Sequence, residues 1–151
     1  MFLSIHAAIG ATIGEHSGNP VVGFLLGFIS HFLGDLVPHG DRKLDHWIGN
    51  GKKWKRLLLL LGLDAIALVS FVWIIFDSAP IHHPRAVWAG IIGGILPDFL
   101  WIPYNVLKKD ILKQYALWHN KMHDTIRHDI KLWQGIAMQG AILFVIYNIL
   151  F

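Results

Sequence analysis

Three apolar stretches of about 20 residues dominate the chain: Leu57 to Phe76, Ala86 to Tyr104 and Trp133 to Phe151. A helix needs about 20 mostly apolar residues to cross the hydrocarbon core of a bilayer, so each stretch is long enough to span it. Pro20 to Val37, with about 18 residues, is taken as a fourth span. Met1 to Gly14 is too short to cross alone, and it predicts a short or half-inserted helix.

Only 15% of the residues are charged and 54% are hydrophobic, whereas a soluble domain carries about 25% charged residues. We therefore predict an all-α integral membrane bundle. No linker or low-complexity tract divides the chain, so residues 1–151 are expected to form one membrane-embedded domain. The first residues lack the basic region and cleavage site of a signal peptide, so we expect them to stay as structure. The absence of cysteine excludes disulfides and thiolate metal sites.

Basic residues are concentrated in the connections at one end of the predicted bundle. Twelve of the thirteen lie there, and only Arg85 lies in a connection at the other end. Because short cytoplasmic loops carry the excess of Lys and Arg, this end is predicted to be cytoplasmic. Val106 to Lys131 predicts a polar amphipathic helix on the same side. Binding to anionic lipid headgroups explains the net charge of +3, so no nucleic-acid partner is expected.

Five ionisable side chains lie inside the apolar stretches: His6, His31, Asp35, Asp64 and Asp98. Such a group costs several kcal/mol in a membrane unless it is paired or ligated, so each indicates a function. At a rise of about 1.5 Å per residue, all five lie within about 10 Å of the cytoplasmic face. They come from four helices, which predicts one shared polar pocket. No Lys or Arg lies inside a span to neutralise the carboxylates, and this favours a bound cation.

Two pairs of candidate ligands have helical spacing. His31 and Asp35 are four residues apart, as are His119 and His123, so each pair shares one helix face. Imidazole nitrogens and carboxylate oxygens are the non-thiolate ligands of zinc and related metals. The pairs predict a divalent metal site, although His119 with His123 is also typical of a solvated pair, and His6 of a helix-packing contact. The pairs Gly23/Gly27 and Gly90/Gly94 predict close helix packing.

Two segments resemble known families. Residues 90–98 read Gly-Ile-Ile-Gly-Gly-Ile-Leu-Pro-Asp. Together with the early His6, this segment resembles a family of small bacterial and archaeal inner-membrane proteins known as membrane-bound metal-dependent hydrolases. Ser30 to His39 is similar to the His-x-x-x-Asp...Pro-x-His signature of zinc-dependent phospholipase C and single-strand nuclease enzymes. The resemblance implies zinc as the metal, an inner-membrane location, and a second ligand pair at His119 and His123.

The predicted function is metal-assisted hydrolysis of a phosphoester, in a phospholipid or another lipid-linked substrate, at the cytoplasmic membrane face. Asp35 and Asp64 are the predicted catalytic carboxylates. Two alternatives stay open: a metal- or proton-handling transport protein, which at this length would have to form a homo-oligomer, and a structural subunit without hydrolytic activity. The predicted metal ligands are His6, His31, Asp35, His39, Asp64, Asp98, His119 and His123.

Overall fold

The computed structural model describes residues 1–40, 53–105, 107, 109–123, 125 and 130–151, without the side chains of residues 53, 54, 56, 57, 105 and 123. The described residues form six helices and no strand, which confirms the all-α prediction. The helices are α1 (Leu3–Ser17), α2 (Pro20–Leu36), α3 (Lys53–Ser78), α4 (Pro84–Asn105), α5 (Lys113–His123) and α6 (Leu132–Leu150).

Three of the described helices contain a segment long and apolar enough to cross a membrane: Leu58–Ser78, Pro84–Tyr104 and Leu132–Leu150. They correspond to the three longest predicted stretches. Helix α3 buries Ile75 on one face and exposes a broad apolar face, which includes Leu59, Ile66 and Trp73. A broad exposed apolar face is suited to lipid rather than water, which is consistent with a membrane protein.

Helix α2 is shorter, and its two faces differ. Asn19 caps its start by accepting hydrogen bonds from the amides of Val21 and Val22, with Pro20 in the first turn. Its outer face is an apolar stripe of exposed side chains, and its inner face buries small and polar residues, among them His31 and Asp35. The outer stripe consists of Val21, Val22, Leu25, Leu26, Ile29 and Leu33.

Helix α1 lies inside the bundle, although its length predicted only a short or half-inserted element. It packs against α2, α3, α4 and α6, and Ala7, Ala8 and Ala11 on it are fully buried. Its small side chains allow neighbouring helices to approach closely, which apolar length alone does not indicate. The burial of α1 brings its first residues to the polar end of the bundle.

Glycines hold α1, α2 and α4 in contact. A Cβ atom added at Gly10 or at Gly27 would collide with the carbonyl of Gly90, and one at Gly94 would meet the carbonyl of His6. One at Gly23 would meet the carbonyl of Ala86. The predicted packing role of the Gly23/Gly27 and Gly90/Gly94 pairs is confirmed, and this close contact sets the spacing of the polar residues below.

The predicted amphipathic helix is shorter in the structure. The sequence indicated a helix from Val106 to Lys131, but α5 begins at Lys113 and ends at His123. Leu112 adopts a positive φ of 57°, which breaks the right-handed helical path directly before α5. The described residues before Leu112 form turns, and the predicted residues Val106 and Lys108 lie outside the described part of the chain.

Candidate metal centre

Three helices bring four predicted ligands together at one end of the bundle. His31 and Asp35 lie on the inner face of α2, Asp98 lies near the end of α4, and His119 lies on α5. His31, Asp35 and His119 are buried, and the Asp98 side chain is 36% exposed. These four residues are called the His/Asp cluster below.

The ligand atoms of the His/Asp cluster face one another across short distances. Nε2 of His31 lies 3.3 Å from Nε2 of His119 and 3.1 Å from Oδ2 of Asp35. Oδ1 of Asp98 lies 3.6 Å from Nε2 of His31 and 3.7 Å from Nε2 of His119. Oδ2 of Asp35 lies 3.8 Å from Nε2 of His119.

These separations are close to the edges of a tetrahedral metal site. Zinc binds nitrogen and oxygen ligands at about 2.0 to 2.2 Å, and a tetrahedron of that radius has edges of about 3.3 to 3.6 Å. The five separations run from 3.1 to 3.8 Å, within about 0.2 Å of that range. The ligand atoms of His31, Asp35 and His119 also all lie within 4.8 Å of one another. The buried His and Asp groups could therefore hold a metal ion.

The His31 ring is oriented as a metal ligand requires. Its Nδ1 lies 2.7 Å from the carbonyl oxygen of Gly94, and a carbonyl can only accept, so Nδ1–H is the donor. In the neutral ring the lone pair is then on Nε2, which faces the cluster. Ligating histidines commonly donate their other N–H to a backbone carbonyl in this way, and the bond fixes both tautomer and ring orientation.

His6 extends the cluster from α1. Its Nε2 lies 3.1 Å from Oδ1 of Asp35, and its ring stacks on that of His31 with centroids 4.0 Å apart. His6, His31 and Asp98 form a second group of ligand atoms within 4.8 Å of one another. Nδ1 of His6 is buried and has no hydrogen-bond partner among the described residues. His6 thus belongs to the site. Its group of ligand atoms and the group of His31, Asp35 and His119 have His31 in common.

His39 lies at the edge of the site. Its Nδ1 donates to the carbonyl of Val37 at 2.6 Å, and its Nε2 lies 2.7 Å from the amino nitrogen of Met1. That amino group is also 2.9 Å from Oδ1 of Asp35. The sequence prediction considered only Lys and Arg as cations near the carboxylates and therefore missed this charge. His39 is therefore linked to Asp35 through the amino group of Met1.

Asp64, predicted as a metal ligand and as a catalytic carboxylate, contacts the start of α1. Both of its oxygens accept hydrogen bonds there. The donors are the amide of Leu3 at 2.7 Å and the amide and hydroxyl of Ser4 at 3.1 and 2.6 Å. Because α1 has no side-chain cap of its own, Asp64 caps it from α3. The positive end of the helix dipole further stabilises this carboxylate.

Replacing Asp64 with Ala is expected to lower the free energy of unfolding by about 1 to 2 kcal/mol, as loss of a helix cap does. Thermal unfolding in detergent measures the loss. Asp77→Ala, at the exposed end of the same helix, is the matched control and should have little effect. The metal content of Asp64→Ala should equal that of the unaltered protein. Loss of the metal from a folded Asp64→Ala variant would restore Asp64 as a ligand.

Two hydrogen bonds hold α5 against α4 and so position His119. The Tyr115 hydroxyl donates to the carbonyl of Pro97 at 3.0 Å, and Nε1 of Trp101 donates to Oδ1 of Asn120 at 2.5 Å. Burial raises the pKa of Tyr115 above its usual range, so the hydroxyl keeps its proton. Tyr115 precedes His119 by four residues, and this helical spacing was a signal that the sequence prediction left unused.

His123 was predicted to pair with His119. Its backbone ends α5, but its side chain lies outside the described part of the structure. The histidines at the opposite end of the bundle do not approach the cluster. The amides of His82 and His83 donate to the carboxylate of Glu15 at 2.8 and 3.0 Å, and both residues are exposed.

A cavity of about 370 Å³ adjoins the cluster, and Asp98 and His39 contribute to its wall. The remaining wall is mainly apolar and comes from the start of α1 and from α3, α4 and α6. Small-molecule sites typically have volumes of about 300 to 1,000 Å³ and combine apolar walls with a few polar groups. The half-exposed Asp98 therefore connects a candidate metal site to a space large enough for part of a substrate.

No family model, no curated protein and no solved structure matches the chain. The resemblance of its motifs to membrane-bound hydrolases and to zinc-dependent phospholipases stays a prediction.

Proposed function

We propose that the protein is a membrane-bound, zinc-dependent hydrolase that cleaves a phosphoester at the cytoplasmic membrane face. One observation carries this proposal: ligand atoms of the buried residues His31, Asp35 and His119 lie within 4.8 Å of one another, and Oδ1 of Asp98 lies 3.6 and 3.7 Å from Nε2 of the same two histidines. The motif resemblance to metal-dependent hydrolases points to the same class of reaction. A ligand set of imidazoles and carboxylates is the type found in hydrolytic zinc sites.

The four residues differ in exposure, and this suggests a division of roles. His31, Asp35 and His119 are buried and would hold the ion, as three protein ligands do in catalytic zinc sites. Asp98 lies 3.6 and 3.7 Å from the two histidines and is the partly exposed member on the cavity side. Water and substrate would therefore approach a bound ion from the side of Asp98. Asp98 would accept the proton, whereas the sequence predicted Asp35 and Asp64 as the catalytic carboxylates.

The reaction adds the oxygen of water to phosphorus and breaks the bond between phosphorus and the ester oxygen. A bound divalent metal supplies Lewis acidity, which lowers the pKa of water and polarises the phosphoryl oxygens. Asp98 accepts the proton that water loses and returns it to the departing alcohol oxygen. His31 is kept in its ligating orientation by Gly94, and His6 donates to Asp35 and fixes that carboxylate.

The depth of the site supports a lipid substrate. Asp98 lies near one end of α4, a helix with a span-length apolar segment, so the cluster lies close to the level of lipid headgroups. The phosphate of a phospholipid or of a lipid-linked phosphodiester lies at that level, while its chains stay in the hydrocarbon. The partner of the protein in this proposal is the lipid of a bacterial or archaeal inner membrane.

We also propose that α2 crosses the membrane, which gives four spans. Its 17 residues extend about 26 Å, close to the hydrocarbon thickness of about 30 Å. Its exposed apolar stripe would face lipid along this whole length. With twelve of thirteen basic residues in the connections at the cluster end, that end is cytoplasmic.

Labelling of single cysteines tests this topology, because the chain has no cysteine of its own. In intact cells, a membrane-impermeant maleimide should label His82→Cys and leave Lys55→Cys unlabelled until the membrane is opened. Both positions are exposed in the protein, so accessibility differs only through the membrane. Labelling of both positions from outside would contradict the four-span topology.

The activity itself is tested with the purified protein in detergent, carrying any tag at the C-terminus because Met1 contacts the site. We expect release of a phosphate monoester and an alcohol from a phosphodiester or phospholipid. The rate should fall on removal of metal and recover on addition of zinc. A metal-bound protein that hydrolyses no phosphoester would favour the transport or structural alternative.

A further inference from the structure

The cavity beside the His/Asp cluster has a polar end and an apolar remainder. Asp98 and His39 lie at the polar end. Leu60, Leu61 and Ala65 on α3 form part of the apolar wall, and Phe99 and Ile102 on α4 form another part. Both helices contain a segment long and apolar enough to span a membrane. The apolar part of the cavity therefore lies where lipid chains, and not water, surround the protein.

Two further polar residues in the wall form hydrogen bonds with backbone groups of the protein. Asp64 accepts three hydrogen bonds from the start of α1. Gln139 accepts from the amide of Phe2 at 2.9 Å and donates to the carbonyl of Gly135 at 3.2 Å. Because these side chains already form hydrogen bonds within the protein, they have little capacity to bind a polar ligand. A ligand that fits the cavity is therefore apolar except where it lies next to Asp98 and His39.

We propose that this cavity binds one apolar chain of a lipid whose phosphate lies at Asp98. The assignment of a phosphate head group depends on the proposed hydrolase function. The assignment of an apolar chain depends only on the residues that line the cavity. The cavity thus selects a substrate by its chain, in addition to the selection of the phosphate by the His/Asp cluster. Ala65 on α3 is the residue where a larger side chain would fill this space.

The cavity volume of about 370 Å³ is typical of a small-molecule site, for which about 300 to 1,000 Å³ is usual. A single unbranched chain fits a volume of this size, and its head can reach Asp98 at the polar end.

Matched variants on one helix test the proposal. Ala65 and Ala67 are both exposed, but only Ala65 lines the cavity, so Ala65→Phe places a ring in it and Ala67→Phe places the same ring outside it. Leu61→Trp, one helical turn before Ala65, fills the same wall and serves as a second test if Ala65→Phe does not fold. The probes are dodecylphosphonate, butylphosphonate and dodecanol, each offered as a monomer to the zinc-loaded full chain, with calorimetry as the readout.

We expect Ala65→Phe and Leu61→Trp to weaken the binding of dodecylphosphonate and dodecanol by about 15-fold. Each methylene kept out of the cavity costs about four-fold in affinity, and a ring displaces about two of them. Butylphosphonate should bind all variants alike, and Ala67→Phe should behave as the unaltered protein. Equal affinity of dodecanol for Ala65→Phe, Ala67→Phe and the unaltered protein would overturn the proposal.

Failure of the hydrolase function would give a different result. The butylphosphonate affinity and the turnover of phosphoesters would then be absent in the unaltered protein, while dodecanol would still distinguish Ala65→Phe from Ala67→Phe. Failure of the chain site alone would leave phosphonate binding and hydrolysis intact, with no dependence on chain length.

Discussion

Replacement of His31 with Ala, or of Asp35 with Asn, is expected to reduce phosphoester hydrolysis by more than about 100-fold and to abolish zinc binding. His31 contributes the nitrogen that lies within 3.6 Å of ligand atoms on the three other cluster residues. Asp35 contributes the carboxylate shared by His6, His31 and His119. Loss of either residue removes a ligand and disrupts the arrangement of the others.

His82→Ala is the control for these variants. His82 is exposed, and its amide bonds to Glu15 in the connections at the opposite end of the bundle. Its replacement should leave activity and zinc content unchanged. All variants are compared after circular dichroism and size-exclusion chromatography have established that they are folded. Equal activity in His31→Ala, Asp35→Asn and His82→Ala would remove the His/Asp cluster from the mechanism.

Removal of the metal is expected to lower the unfolding temperature of the protein by about 10 °C. A ligand present at 1,000 times its dissociation constant stabilises the folded state by about 4 kcal/mol, and about 1 kcal/mol corresponds to about 2 to 4 °C for a chain of this size. A bound ion would also relieve the repulsion between the Asp35 and Asp98 carboxylates, which approach the same histidines. Thermal unfolding with chelator, and then with added zinc, measures the shift.

The same experiment on His31→Ala distinguishes stabilisation by zinc bound at the His/Asp cluster from stabilisation by zinc bound elsewhere. This variant should unfold at one temperature with or without zinc, because its site is incomplete. Zinc that stabilised the variant as much as the unaltered protein would bind elsewhere, and the assignment of the cluster would then be wrong.

The helices and the polar end of the bundle could be predicted because they follow from local sequence. Apolar stretches of span length predicted α3, α4 and α6, and helical spacing placed His31 and Asp35 on one face of α2. The common depth of His6, His31, Asp35 and Asp98 predicted that they converge, and the structure brings their side chains together. The paired glycines predicted the close helix packing that makes this possible.

The role of Asp64 could not be predicted, since it depends on where the start of α1 lies. An acidic residue in an apolar helix has the same sequence signature whether it binds a metal or caps another helix. Only the burial of α1 inside the bundle brings the amides of Leu3 and Ser4 to this carboxylate. The start of α5 was also beyond prediction, because nothing in the composition around Leu112 marks its positive φ.

Elemental analysis of the detergent-purified protein tests the central claim most directly. The account predicts one tightly bound divalent metal ion per chain, with zinc restoring full occupancy after chelation, and no bound metal in His31→Ala. Absence of metal from the unaltered folded protein, even after incubation with zinc, would contradict the metal site and the hydrolytic function proposed for it.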